Sequence, residues 1–329
     1  MLHFSRKTIS VPGAIPFNGA VAATPAGRFL FYRFDEYRIG HVLVDENFRA
    51  IRCTHRIMGM ACNEDPRIVW LRDRMYLSTH WSIEGRIELR ELELTNRAEF
   101  RIRKEMKFDH IFNDNTYRKR CREKNWTPWV WNDQLLYTHT MNPHRILKIN
   151  MATKTVSLKC VSFWSAPWWT AGWGLQFRLN TPPVRLSDGC YLSTFHCPGI
   201  GGYYSGFYLF EGKLPFRILR VSREPALTPL NTTAWNPRTG VKCIFLLGLL
   251  VNERHDSVIV TGGDNDHSVV AFHFSLNEIM ASLIPVSPSP AARSANPLSS
   301  DTPVRDVRFD SRLRSSERFR NGLRHEQVR

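Results

Sequence analysis

The chain alternates short, aromatic-rich apolar runs with polar turns, and an apolar stripe at helical spacing is almost absent. Arg28-Phe29-Leu30-Phe31-Tyr32 is followed by Tyr37 to Val44, and Arg67 to Leu71 by Met75 to Trp81 and then Arg86 to Leu94. The same beat returns at Trp129 to Trp131, Leu135 to Met141 and Arg145 to Ile149. It returns again at Pro183 to Leu186, Cys190 to His196 and Tyr203 to Phe210, and once more at Val241 to Val251, Ser257 to Thr261 and Ser268 to Phe274. Asn277 to Leu283 alone reads as a short helix. Evenly spaced strands with so little helix predict an all-β sandwich, barrel or propeller.

An internal repeat selects the propeller. Arg72-Asp73-Arg74 precedes Met75 to His80, Asn132-Asp133-Gln134 precedes Leu135 to His139, and Ser187-Asp188-Gly189 precedes Cys190 to His196. Each copy is a polar turn holding Asp, then an aromatic-rich strand that closes on histidine. The copies recur at about 55 to 60 residues, the period of propeller blades with insertions. Weaker copies at Arg28 to Phe34 and Ser257 to Thr261 bring the count to a five-bladed β-propeller spanning residues 1–284. From Pro285 to Arg329 the composition turns to Pro, Ser and Arg with few large apolar residues. Such a segment buries too little surface to offset its ordering entropy, which predicts a disordered basic tail.

The formal net charge of +15 changes this picture little. The arginines are scattered through strand-like segments and the tail, without a compact basic block or a nucleic-acid module, so anionic ligands are favoured and nucleic acid is not expected. Seven cysteines, an odd number without a CxxC pair, argue against a disulfide scaffold or a structural zinc and for a reducing, cytoplasmic setting. The apolar run Cys243 to Val251 is too short to span a bilayer and reads as a buried strand.

Candidate chemistry concentrates in Asn63-Glu64-Asp65-Pro66-Arg67, two carboxylates and a guanidinium beside a proline at the head of a strand. Pro66 is expected to hold Asp65 extended, presenting a proton-transfer group beside an anion-binding arginine. The plainer alternative is an acidic surface turn paired to that arginine. Stacked blades leave a central channel, so Asp65, His139, His196 and Asp266, far apart in sequence, are expected to share one pocket. For each histidine the alternative is a hydrogen bond that merely closes its blade. Trp126, Trp129, Trp131, Trp164, Trp168, Trp169 and Trp173 form a dense group. Their flat faces suit either the C–H face of a sugar ring or packing between blades.

With these motifs in order, the chain resembles the five-bladed propeller β-mannoside phosphorylases and their mannosyltransferase relatives. Asn63 to Arg67 resembles that family's acid motif, and Lys124-Asn125-Trp126-Thr127-Pro128-Trp129 its lysine-asparagine segment. Thr181-Pro182-Pro183 with Asp188 to Leu192 and His196, Tyr203 to Glu211, and Gly263-Asp264-Asn265-Asp266 resemble its later blades, in register over about residues 25 to 275. The resemblance implies a cofactor-free, metal-free carbohydrate-active enzyme, a glycosyltransferase or glycoside phosphorylase, acting by inversion on mannose-type sugars. Its partners would be a sugar phosphate or sugar nucleotide donor and a carbohydrate acceptor. By the same resemblance, Asp65 would be the general acid, with Glu64 beside it, and Arg67 would hold substrate. Lys124, His196 and Tyr203 would face the phosphate-bearing side, Asn125 and His139 would bind substrate, and Asp266 would bind the donor sugar. One departure stands out. The histidine-arginine pair expected after the lysine-asparagine strand is replaced by Thr138-His139-Thr140-Met141-Asn142-Pro143-His144-Arg145, which favours transferase over phosphorylase. A propeller that binds glycans or proteins without catalysis is the competing class.

Overall fold

The computed structural model of the protein describes residues 2–35, 38–59, 63–81, 86–95, 99–108, 124–174, 176–234 and 241–288. The expected tail from residue 289 onward, and Cys62 and Cys121, lie outside them.

The chain is a five-bladed β-propeller. It opens with β1 (Phe4–Ile9), which belongs to the last blade. Blade 1 is β2 (Pro16–Thr24), β3 (Gly27–Phe34), β4 (Arg38–Val44) and the two-residue β5 (Arg56–Ile57). Blade 2 is β6 (Asn63–Leu71), β7 (Arg74–Trp81), β8 (Arg86–Leu94) and β9 (Phe100–Lys107). Blade 3 is β10 (Thr127–Trp131), β11 (Gln134–Thr140), β12 (His144–Asn150) and β13 (Thr155–Ser162). After β14 (Trp164–Ser165) and helix α1 (Pro167–Gly172), blade 4 begins with an inner strand in two pieces, β15 (Arg178–Leu179) and β16 (Val184–Arg185). It continues with β17 (Tyr191–Gly199), β18 (Gly202–Phe210) and β19 (Ile218–Ser222). Blade 5 is β20 (Ile244–Val251), β21 (Ser257–Asp264) and β22 (Ser268–Ser275), followed by α2 (Leu276–Ser282), β23 (Leu283–Pro285) and β24 (Ser287–Pro288).

Local chemistry explains these elements. Asn132 and Asp133 both take positive φ, which a two-residue hairpin turn between β10 and β11 requires and which Asn and Asp tolerate. The break between β15 and β16 falls at Asn180-Thr181-Pro182-Pro183, where two successive prolines offer no N–H to a ladder. Helix α1 was not expected from sequence; Pro167 supplies its first turn with a preset φ. The predicted helix at Asn277 is α2, capped by the Ser275 hydroxyl, which accepts from the Glu278 N–H at 3.4 Å.

Apolar side chains fill the seams between neighbouring blades. Leu30, Val42, Ile259 and Val269 join blades 1 and 5, while Phe29, Phe31, Met75 and Leu77 join blades 1 and 2. Tryptophans dominate further round: Trp126 is buried between blades 2 and 3, and Trp129 between blades 3 and 4, edge-on to Tyr191, Phe210 and Phe216 at 4.8, 5.3 and 5.1 Å. Trp164 and Trp169 are buried in that same seam. For these four the packing alternative holds, and replacing any of them by alanine costs about 3–5 kcal/mol.

The ring closes through β1, which pairs antiparallel with β22 from Phe4↔Phe274 to Ile9↔Val269. Near the other end, β23 pairs with β19 and β24 with β14. The chain therefore stays attached to the propeller through Pro288, past the expected boundary at 284. Pro285 and Pro288 are tolerated there because both sit in short edge strands. No helix among the described residues is long and apolar enough to cross a membrane.

Deleting residues 1–9 removes the outer strand of blade 5 and bares the edge of β22. The melting temperature is expected to fall by more than about 5 °C, read by differential scanning fluorimetry. An unchanged melt would refute closure through β1.

Candidate functional site

Each blade pairs the start of its inner strand with the end of its second strand, so these ends meet at one mouth of the channel. The pairs are Phe17↔Arg33, Glu64↔His80, Thr127↔Thr138, Arg178↔His196 and Ile244↔Asp264. The histidines that close the sequence repeat stand at this level in blades 2, 3 and 4; Arg33 and Asp264 take the equivalent places in blades 1 and 5.

Blades 1 and 2 share a further device. Between Phe17↔Arg33 and Ala20↔Phe31, Asn18 and Gly19 oppose Tyr32 alone. Between Glu64↔His80 and Arg67↔Ser78, Asp65 and Pro66 oppose Thr79 alone. These are β-bulges, which re-aim side chains. Asn18 and Asp65 sit in them at φ +50° and +55°. This corrects the expectation that Pro66 holds Asp65 extended. The proline bars the right-handed helical region at Asp65, and the bulge selects the left-handed one, which Asp and Asn tolerate better than other residues with a β-carbon. The bulge has a firm base: the Asn63 Oδ1 accepts from Thr79 at 2.6 Å and from the buried Arg90 at 3.0 Å.

Asp65 is 8% exposed and makes its side-chain contacts across blades. The Asn18 amide donates to Asp266 at 2.7 Å and to Asp65 at 3.4 Å, so one nitrogen stands between two carboxylates from blades 2 and 5. A β-carbon at Gly263 would occupy the place of the Asn18 Oδ1, so glycine there makes room for the bridge. Asp266 lies in the turn after β21 and is exposed. Its carboxyl is pushed up from the ordinary value, first by the protein wall that partly desolvates it and then by the negative charge of Asp65.

The guanidinium of Arg33 stacks on Phe17 at 4.7 Å and stands 3.8 Å from both Asp65 and Glu64. Glu64 also meets Lys124 at 3.4 Å and His80 at 3.7 Å. Burial alone would raise the Glu64 carboxyl, but the nearby His80 ring and the charges of Arg33 and Lys124 outweigh it and hold the group at about 2. Glu64 is therefore a fixed anion, not a proton donor.

Arg67 is 3% exposed, and two of its nitrogens serve the backbone: Nε donates to the Asn180 carbonyl at 2.8 Å and Nη1 to that of Asp65 at 3.2 Å. It clamps the Asp65 bulge to the strand break of blade 4, with its guanidinium over Phe245 at 5.8 Å. Burial lowers its pKa to about 10, which leaves it charged. Its Nη2 is buried without a partner among the described residues, so one donor remains for a ligand.

His196 shares Asn180 with this clamp, its Nδ1 lying 2.6 Å from the Asn180 Oδ1. Tyr203 stacks on its ring at 4.6 Å. Burial, then the charges of Arg178 and Arg67, push His196 down to about 3, so it is neutral and holds no anion by charge. Tyr203 is pushed up, mainly by burial, and keeps its proton as a donor. Arg178, exposed and directly opposite His196 on β15, brings a cation to this side.

Of the residues singled out from sequence, Glu64, Asp65, Arg67, Lys124, His196, Tyr203 and Asp266 thus join one web of contacts. His139 stands at the equivalent strand end inside a bulge of β11 and packs edge-on against Trp126 at 5.0 Å. Asn125, at φ +64°, begins the turn into blade 3 beside Lys124. The contacts traced around Asp65 run through Arg33, Asn18 and, by way of Arg67, Asn180. Asn18, Arg33, Asn180, Arg178 and Phe245 were not anticipated. Arg33 had a signal, since it lies at the penultimate position of the weaker repeat copy Arg28 to Phe34, close to where histidine ends the others. A cavity of about 590 Å3 lies toward the other end of the channel, lined by the later halves of the inner strands, including Ala22, Ile68 and Leu249. Glu64, Asp65, Arg33, Lys124 and Asp266 are not among the residues that line it, so this cavity is not where those carboxylates and cations meet.

No protein-family model and no curated protein sequence matches this chain. Solved structures do. A β-1,2-mannobiose phosphorylase from Listeria innocua aligns over 84% of this chain and 92% of its own, with TM-score 0.53 and 13% identity. A glycosyl hydrolase from Bacteroides ovatus aligns over 80% and 84%, with TM-score 0.52 and 13% identity. A hypothetical protein from Leishmania major aligns over 83% and 90%, with TM-score 0.52 and 12% identity. This chain has their fold.

Two outcomes follow from this geometry. Gly263→Ala is expected to displace Asn18 and break the bridge between Asp65 and Asp266, seen as a further rise in the Asp266 pKa by carboxyl NMR titration, because the Asn18 hydrogen bond favours the ionised carboxylate; an unmoved Asp266 would count against the bridge. Buried neutral histidines also set acid stability. His41 and His144 lie at about 4 and His196 at about 3, each lowered first by burial. Their unfolded counterparts take up protons near 6.5, so the stabilisation is complete above about that pH and is lost as pH falls toward 4. Melting temperatures at pH 7.5, 6 and 4.5 should decline in that order, and a flat series would refute it.

Proposed function

We propose that the protein is a carbohydrate-active enzyme that makes or breaks a glycosidic bond by inversion, with Asp65 as the general acid. The observation that carries this reading is the setting of Asp65: a carboxyl turned into the channel mouth by a bulge, with Arg33 on one side and the Asn18–Asp266 pair on the other. Inversion at an anomeric carbon needs a proton donor on one face and a nucleophile on the other. In this reading Asp65 protonates the glycosidic oxygen as it leaves, and in the bond-forming direction it takes the proton of the acceptor hydroxyl as the donor's phosphate leaves. Asp266, exposed and adjacent, accepts hydrogen bonds from the hydroxyls of the donor sugar, and Asn18 holds the two carboxylates in a fixed relation. A mannose-type sugar is the substrate favoured by the sequence resemblance, and the Listeria innocua neighbour is itself a β-1,2-mannobiose phosphorylase.

The phosphate-bearing side is built by Lys124, Arg178, Tyr203 and the free Nη2 of Arg67, with neutral His196 as a hydrogen-bonding and stacking group. The displaced pair His144-Arg145 stands at the start of β12, the third strand of its blade. His144 is buried there with its Nδ1 against the Phe216 carbonyl at 2.8 Å, so it does not grip phosphate. This supports a transferase using a sugar nucleotide over a phosphorylase, whose synthetic direction would consume a sugar phosphate. A binding propeller is the second reading, favoured by one observation: Arg33 and Lys124 both lean on Glu64, which neutralises much of the local cation excess.

The test is donor consumption. The protein is incubated with mannose 1-phosphate or GDP-mannose and a panel of sugar acceptors, and released phosphate or GDP is measured. Acceptor-dependent release is expected, and Asp65→Asn is expected to lower it by about 10²–10⁴-fold. Sugar binding with no release from either donor would establish the binding propeller instead.

A further inference from the structure

Trp168 and Trp173 are only half-buried, packed against the edge of the seam between blades 3 and 4, and are not among the residues that contact Asp65. Helix α1 carries Trp168 and Trp169 and docks against the end of β19, where both indole N–H groups donate to one acceptor, the Ser222 carbonyl, at 3.3 and 2.5 Å. Trp169 is buried, whereas Trp168 is half-buried, and with its N–H turned inward it offers ring carbon outward. Trp173 follows the helix, its backbone N–H donating to the Trp169 carbonyl at 2.8 Å and its ring tilted against Tyr204 at 5.5 Å. Both tryptophans line a cleft of about 390 Å3 together with Gly172, Arg223, Glu224 and Ile284. That volume lies within the roughly 300–1,000 Å3 of small-ligand pockets.

We propose that this cleft is a second carbohydrate-binding site, taking one or two pyranose rings of an oligosaccharide outside the channel. Three features select the ligand. Two ring faces suit the C–H face of a pyranose, and they are fixed in place: Gly174 lies against the Pro198 carbonyl and Gly199 against that of Trp173, at distances a β-carbon would not allow. Arg223 and Glu224, both exposed, set donors and an acceptor at the same cleft. An uncharged ligand rich in hydroxyls uses both, whereas a phosphate or an acidic peptide meets one favourable and one opposed charge. A proline-rich peptide would stack on the tryptophans but leave that pair unused. The cleft is also tied to the channel mouth through β18, because successive strand residues face opposite sides. Tyr203 stacks on His196 on one side, and Tyr204 meets Trp173 on the other.

The test uses the full-length Asp65→Asn protein, so that no turnover intervenes, titrated calorimetrically with mannotetraose and with cellotetraose. Binding of at least one of them is expected, and Trp173→Ala in that background is expected to weaken it about tenfold. Arg223→Ala with Glu224→Gln, two exposed positions whose change leaves the fold intact, is expected to weaken it several-fold and guards against misfolding of the tryptophan variant. Absence of binding by either sugar, affinity unchanged in both variants, or binding of a peptide of residues 284–300 in place of sugar would each overturn the proposal. Turnover that needs Asp65 and binding that needs Trp173 are separate readouts, so either reading can fail without the other.

Discussion

The channel mouth depends on a mismatch of two residues against one, made twice. In blades 1 and 2 an inner strand carries one residue more than its partner can pair, and the surplus is absorbed by Asn18 and Asp65 in left-handed conformation. An unbroken ladder would alternate strictly, and moving by one residue would turn each side chain to the opposite face. The bulges let a carboxyl and an amide leave that alternation while the hydrophobic positions that follow, such as Val21 and Val69, keep theirs toward the core. Chemistry and packing are thereby uncoupled within a single strand.

Around those bulges, several groups are each held in one charge state by their surroundings. Glu64 is fixed as an anion by His80, Arg33 and Lys124, and Arg67 is fixed as a cation although it is buried. His196, with cations on two sides and little water, is fixed as neutral. Against these settled groups stand Asp65 and Asp266, two carboxylates sharing one amide, where the charge of the first raises the pKa of the second.

Much of this was legible before any coordinate. Strand positions were, because half-buried strands alternate, and the number of blades was, because a polar Asp turn followed by an aromatic strand ending in histidine repeats. The acid motif was legible as a composition but not as a conformation: a proline after Asp65 argued for extended backbone, and the tie to Thr79 through the bulge is a pairing that local sequence does not encode. Asn18, Asn180 and Phe245 were missed for a different reason. Each is an ordinary residue made useful by a partner more than 60 positions away, on another blade. The tryptophans divided along lines that composition does not reveal, since burial between blades and exposure beside α1 call for the same residue type.

The Asn18–Asp266 contact joins positions 248 residues apart, and β1 cannot find its place until β22 exists. On the ribosome, the first strand and the first bulge must wait while nearly the whole propeller is made. Blades 1 to 4 can collapse in the order of their synthesis, but the edge of blade 1 that faces blade 5 has no neighbour until residues 244–275 appear. Order of manufacture and order of completion are thus reversed at the seam: β1 and Asn18, translated ahead of blades 1 to 5 and of Asp266 respectively, are among the last to be used, and the pocket comes into being as the circle shuts.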